Sequence, residues 1–133
     1  MKKILFFILI LSGCLILSAQ SEKEIKSLQI VKKETWNYTD SKSKFLETLE
    51  KFDKEGNLIE EIKYNPDRSI KKHTKYTYNN NNDKLTEIEY DDTGKIISRK
   101  EYEYEDSLRT SKKEYDEKGR LKSWKIYKFE FAK

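Results

Sequence analysis

Three observations predict that this 133-residue sequence folds as an all-β protein. Aromatic residues recur at alternating intervals, Asp-x-x-Gly turns stand at the same point of successive copies, and apolar residues of the intervening segments keep one parity. The aromatic markers Tyr38, Phe52, Tyr64, Tyr78, Tyr90, Tyr104, Tyr115 and Phe129 are separated by 14, 12, 14, 12, 14, 11 and 14 residues. The alternation makes the unit a pair of strands about 26 residues long, and a period in that range signals a repeat whose unit is one supersecondary element. With two strands and two turns per unit, that element is a hairpin. The expected fold is an antiparallel β-meander of repeated hairpins, about seven or eight strands in all. A single sheet with one apolar face leaves that face wet unless it is covered. A single curled sheet or half-barrel is therefore the expected form.

Residues 1–19 stand apart from this pattern. Met1-Lys2-Lys3 is a short basic start, Ile4 to Leu17 is apolar apart from Ser12, Gly13 and Cys14, and Ala19-Gln20 offers a small-residue exit. That order of regions reads as a secretory signal peptide, and the apolar run is too short for a membrane span of about 20 residues. A single β-repeat domain, residues 20–133, is left, in the periplasm, at the outer membrane or secreted. Cys14 is the only cysteine, so no internal disulfide forms. Leu11-Ser12-Gly13-Cys14 resembles a bacterial lipobox, although the apolar run continues through Leu15-Ile16-Leu17. Cleavage after Ala19 and lipidation at Cys14 both stay open, with a membrane partner only in the second case.

The domain is poor in apolar residues. Lys2 and Lys3 leave with the leader, so the net charge falls from +4 to +2. Such a composition approaches the disordered range, but all nine tyrosines and both tryptophans lie beyond residue 19, which favours a folded chain. Near-balanced charge describes a solvated surface and excludes a nucleic-acid footprint.

In chain order, Ser21 to Lys26 is charged and reads as frayed. Leu28, Ile30, Glu34, Trp36 and Tyr38 share one parity and read as a first strand, closed by the polar cluster Thr39–Ser43. The long strands Ile70–Tyr78, Ile96–Tyr104 and Leu121–Phe129 align without gaps: an aliphatic residue opens each and two same-parity aromatics close it. Their other parity carries Lys71, His73, Lys75, Arg99, Glu101, Glu103, Lys122 and Lys128, read as a solvent face. In the last copy Trp124 and Ile126 make that face apolar as well. The shorter strands are Leu58–Tyr64, Leu85–Tyr90 and Leu108–Tyr115. The third is one residue short and is expected to be weak or bulged.

The turns account for the glycines. Gly56, Gly94 and Gly119 close Asp53-Lys54-Glu55-Gly56, Asp91-Asp92-Thr93-Gly94 and Asp116-Glu117-Lys118-Gly119. A hairpin on a type I turn wants Asp or Asn first and a residue of positive φ where the chain re-enters the ladder. Asn65-Pro66-Asp67-Arg68 fits with Arg68 in place of Gly, and Asn79–Asp83 is an asparagine version. The motif aromatic-Asp-x-x-Gly-x-Leu/Ile, at Phe52–Leu58, Tyr90–Ile96 and Tyr115–Leu121, resembles the YD repeat of the RHS family of bacterial β-repeat proteins. With its degenerate copies the resemblance spans roughly residues 38–131. It implies antiparallel hairpins stacked into one continuous sheet, and no functional residue.

No catalytic constellation is visible. His73, the only histidine, reads as a solvated surface residue without a positioned partner. The domain lacks a thiol, and no G-x-S-x-G, H-E-x-x-H or P-loop pattern occurs. Asp91 and Asp92 offer too few oxygens for Ca²⁺, which takes about six to eight. Neither cofactor nor metal is expected. The remaining candidates are rings: Tyr76, Tyr78, Tyr102, Tyr104, Trp124 and Tyr127 form either a core of cross-strand pairs or a face binding a protein or glycan. The expected function is a non-catalytic binding or scaffolding module of the bacterial cell envelope, and not an enzyme. The alternative is an immunity or antitoxin-like protein that binds a partner toxin.

Overall fold

The computed structural model describes residues 23–39 and 43–132. The leader-like segment and Cys14 lie outside them. Eight strands follow in order: β1 (Lys32–Tyr38), β2 (Lys44–Phe52), β3 (Leu58–Tyr64), β4 (Ile70–Tyr78), β5 (Lys84–Tyr90), β6 (Ile96–Glu105), β7 (Leu108–Tyr115) and β8 (Leu121–Ile126). Each pairs antiparallel with its sequence neighbours in one eight-stranded sheet, so the meander of repeated hairpins is the fold. The sheet is not closed into a barrel: β1 and β8 stand at opposite ends of the strand order.

Five of the turns are one construction. In each, the residue at the fourth position donates its N–H to the first carbonyl: Gly56 to Asp53, Arg68 to Asn65, Asn82 to Asn79, Gly94 to Asp91 and Gly119 to Asp116, at 2.9–3.1 Å. The first residue's own N–H closes a wider ring onto the carbonyl four residues on, as Asp91 does onto Lys95 at 2.8 Å. In four of the five its side chain takes two further N–H groups, as Asp91 Oδ1 accepts from Thr93 and Lys95, both at 2.9 Å; in the Asn65 turn the Ser69 N–H goes to Asp67 Oδ1 instead. The fourth residue has φ of 84°, 70°, 64°, 86° and 74° in turn, so Arg68 and Asn82 occupy the left-handed region that glycine fills elsewhere.

The one-residue deficit of the third copy is absorbed by a turn instead of a strand. β6 and β7 are joined by Asp106 and Ser107 alone, with φ of 49° and 63°. Two consecutive positive φ values make the tight primed hairpin turn that suits the strand twist. β7 is a full eight-residue strand. Its register shift opposite Glu103/Tyr104 matches the shift of β4–β5 at Thr77/Tyr78, so its bulge belongs to the repeat.

The largest differences from the sequence reading are at the two ends of the sheet. Residues 23–27 form a short helix, α1, where a frayed segment was expected, and β1 begins at Lys32 instead of Leu28. Ile25 supplies the reason: it is 6% exposed, and α1 sits against the β2–β3 turn. There a Cβ added to Gly56 would lie 3.0 Å from Lys26 Cβ and 3.2 Å from its N and Cα. Phe52, 7% exposed, gives its N–H to the Val31 carbonyl at 3.0 Å. At the other end β8 stops at Ile126, three residues before its aligned copies, although Tyr127 still donates to the Thr110 carbonyl at 2.9 Å.

The expectation of one apolar and one solvent face also needs correction. Directly paired residues share a face. Tyr76 pairs with Glu87, and Glu87 with Lys100, on one side; His73 pairs with Tyr90, and Lys75 with Ile88, on the other. Long strands send their closing aromatics to the first face, and short strands send theirs to the second. Each face is therefore a mixture of rings, aliphatics and charges, one side chain thick. Among the described residues only Ile25, Phe52 and Tyr102 are buried apolar side chains; Thr74 (1%) and Ser111 (5%) are the buried polar ones. Long stems of Lys, Glu and Tyr lying across their neighbours take the place of a second layer.

Candidate binding face

On the first face the centre is Glu87 of β5. Its carboxylate accepts from Lys100 at 2.7 Å, Lys84 at 3.0 Å and the Tyr102 hydroxyl at 3.3 Å. Burial pushes this carboxyl up, but the hydrogen bonds from Lys100 and Lys84 outweigh it and hold the group at about 2. The Lys84 ammonium also stands over the rings of Tyr76 (5.1 Å) and Tyr102 (5.4 Å), and Arg109 lies over Tyr102 at 4.6 Å. Such contacts contribute about 0.5–1 kcal/mol each where solvated and more where dry. Burial, with Glu61 and Glu87 nearby, pushes Tyr76 up to about 12; burial and Glu87 do the same to Tyr102.

Tyr78 and Tyr104 are tied down in the same way one unit apart. Tyr78 donates its hydroxyl to the Leu58 carbonyl at 2.8 Å, and Tyr104 donates to the Lys84 carbonyl at 2.9 Å, each reaching twenty residues back. Four of the six predicted site residues are thus brought together on one face as its fabric, Tyr102 buried and Tyr76, Tyr78 and Tyr104 half-buried. Tyr127 is exposed at the end of that face. Trp124 is on the opposite face, where its indole donates to Ser111 Oγ at 3.1 Å under the Lys113 ammonium.

The second face corrects the reading of His73. Its side chain is 17% exposed and has a positioned partner: Nε2 lies 2.8 Å from Glu60 Oε1, and the ring stacks at a tilt on Tyr90, centroids 5.2 Å apart. Glu60 also receives Lys51 at 2.6 Å. Burial raises the Glu60 carboxyl, but Lys51 and His73 together hold it below the usual range. Parity alone put His73 on this face correctly. What it could not supply was the cross-strand register that sets Glu60 and Tyr90 beside it. A carboxylate–imidazole pair of this kind can orient a base. Lys51 and Tyr90 fill the neighbouring places, and the pair serves as a cross-strand clasp. Among the described residues there is no group of three or more His, Cys, Asp or Glu side chains arranged to hold a metal ion.

The exposed apolar groove lies where the sequence reading placed only Tyr127. Leu108, Tyr127, Phe129 and Phe131 line an open concavity of about 810 Å³ beside the β6–β7 turn, together with Glu105, Asp106, Thr110 and Lys128. Phe131 is 77% exposed and Phe129 46%. The signal for it was present in the alternation Tyr127-x-Phe129-x-Phe131, which runs past the last aligned copy. No family model matches the chain, and no curated protein matches it.

Proposed function

We propose that the chain is an exported, non-catalytic binding or scaffolding module of the bacterial cell envelope. The observation that carries this reading is the single-layer sheet itself. Among the described residues each face is a mosaic of half-buried and exposed side chains, and the charged groups at its centre, Glu87 with Lys84 and Lys100 and Glu60 with His73 and Lys51, are committed to one another in ion pairs. Leader-like residues 1–19 support export, and the YD-type turns support a repeat used as a structural frame. The ligand-facing region is the groove of Leu108, Tyr127, Phe129 and Phe131, whose rings, flanked by charges of both signs at Glu105, Asp106 and Lys128, suit a protein segment or a glycan.

The test is capture from envelope fractions on the immobilised chain, beside Tyr127→Ala and Phe131→Ala. A partner held by the parent and lost by both variants supports the reading. Capture unchanged in both variants removes the groove as the binding surface. Any turnover abolished by a single substitution would overturn the non-catalytic assignment. A toxin as the captured partner would turn the reading into the neutralising one.

A further inference from the structure

The strands alternate in kind. β1, β3, β5 and β7 end in Tyr38, Tyr64, Tyr90 and Tyr115 and are the short type; β2, β4 and β6 are the long type, and β8 aligns with them in sequence although only six of its residues are in the ladder. The sheet therefore presents a short-type strand at one edge and a long-type strand at the other. Wherever a long strand is followed by a short one inside the sheet, the register is constant. His73 faces Tyr90 and Arg99 faces Tyr115; two residues on, Lys75 faces Ile88 and Glu101 faces Lys113.

We propose that these edges are complementary, so that β8 of one copy takes β1 of a second copy as its next strand and extends the meander head to tail. Trp124 stands at the repeat position of His73 and Arg99. Continuing the register puts Trp124 opposite Tyr38 of the second copy, Ile126 opposite its Trp36 and Lys128 opposite its Glu34: two apolar pairs and one of opposite charge. The contact shares Lys128 and Phe129 with the lining of the groove, so the crosslink between positions 38 and 124, both outside that lining, tests it separately from ligand binding there.

Two further observations point the same way. Every large apolar side chain at least 45% exposed among the described residues lies at one edge or the other. Leu28, Val31, Trp36 and Tyr38 flank or belong to β1; Leu121, Trp124, Ile126, Phe129 and Phe131 belong to or follow β8. Edge strands are usually guarded against pairing, and rings at this exposure leave the guard incomplete. Second, β8 ends at Ile126 while its aligned copies stay in the ladder to Tyr78 and Glu105. Those copies have a short strand on each side; β8 has one on a single side. A β1 strand on the free side would extend β8 through Phe129. Symmetric antiparallel pairing of β8 with itself about Lys125 would set that lysine against its own copy and Lys122 against Lys128 of the second copy, and no long strand pairs with a long one in the sheet. A head-to-tail contact is heterologous, and unless its rotation closes a ring it builds an open strip.

The experiment uses the full chain with its only cysteine removed as Cys14→Ser, carrying either Tyr38→Cys or Trp124→Cys. Under mild oxidation, mixing the two is expected to give at least about tenfold more crosslinked dimer than either alone, because only the mixture places the thiols opposite each other. Comparable self-crosslinking of Trp124→Cys, or no crosslink in a mixture with parental far-ultraviolet dichroism, overturns the proposal. Charge reversal checks the register independently in sedimentation. Lys128→Glu should weaken self-association about fivefold, and adding Glu34→Lys to it should restore it. A double variant as weak as Lys128→Glu alone also overturns it.

Discussion

Strands β4–β6 and strands β1 and β8 are built from one repeat, yet equivalent residues sit in different surroundings. Tyr90, with β4 and β6 on either side, is half-buried against His73 and Lys75; Tyr38, at the same place in β1, is 64% exposed. Tyr102 in β6 is 7% exposed, and its counterpart Tyr127, just past β8, is 36% exposed. Among the described residues no second layer lies under either of the two. In this sheet burial is lateral, supplied by the strands to left and right, so a residue's stability contribution depends on its strand's place in the order more than on its own type.

The sharpest way to break that comparison is to truncate one ring in each region. Tyr102→Ala should cost about 3 kcal/mol, the range for emptying a buried aromatic site, while Tyr127→Ala should cost well under 1 kcal/mol. Urea unfolding of the two variants decides it, and equal losses would mean that burial is not lateral.

Next in size is Glu87→Gln, which removes the charge that Lys84 and Lys100 share. Because the folded carboxyl titrates at about 2, below its ordinary 4.5, its contribution is complete above about pH 4.5 and is lost as pH falls through 2. The variant should be less stable than the parent by about 1–2 kcal/mol at pH 7, with solvent screening allowed for, and the gap should be nearly gone at pH 2. A gap that persists at pH 2 would assign the effect to shape instead of charge.

The turns give the smaller effects. Gly94→Ala forces a Cβ onto a φ of 86° with open space around it, and should cost about 1 kcal/mol. Gly56→Ala carries the same strain and also meets the Lys26 backbone, so it should cost more and loosen α1; hydrogen exchange at Leu28 and Ile30, whose N–H groups close α1, reads this directly. In the opposite direction, Ser107→Gly relieves a φ of 63° and should stabilise by about 0.5–1 kcal/mol, seen as a raised Tm.

The legible parts of this molecule are those written in local chemistry. An Asp whose carboxylate takes the N–H groups two and four residues on is a property of five consecutive residues, so Asp53, Asp91 and Asp116 announced their turns. Arg68 and Asn82 followed from their position in the copy. α1 was not legible because one apolar residue, Ile25, among charged neighbours makes no helical period, and its reason to fold is Phe52 and Gly56 across the turn. The site was half-legible for the same reason. Parity sorted Tyr76, Tyr78, Tyr102 and Tyr104 onto one face and Trp124 onto the other. The acceptors of their hydroxyls, the clasp on His73 and the mixed character of both faces depend on register between strands, which no single strand encodes.

The strand order β1 to β8 has a consequence for how the chain becomes a sheet. Since every strand pairs with its neighbours in sequence, no closure needs a loop longer than a turn, and contact order stays low for an all-β protein. Each hairpin can therefore form as soon as its own strands are available and add to those already made, first to last, with an interface energy set by the adjacent strand alone. Such a chain is an extensible polymer of hairpins. Deleting or duplicating one unit of about 26 residues would change its length and leave the remaining register intact.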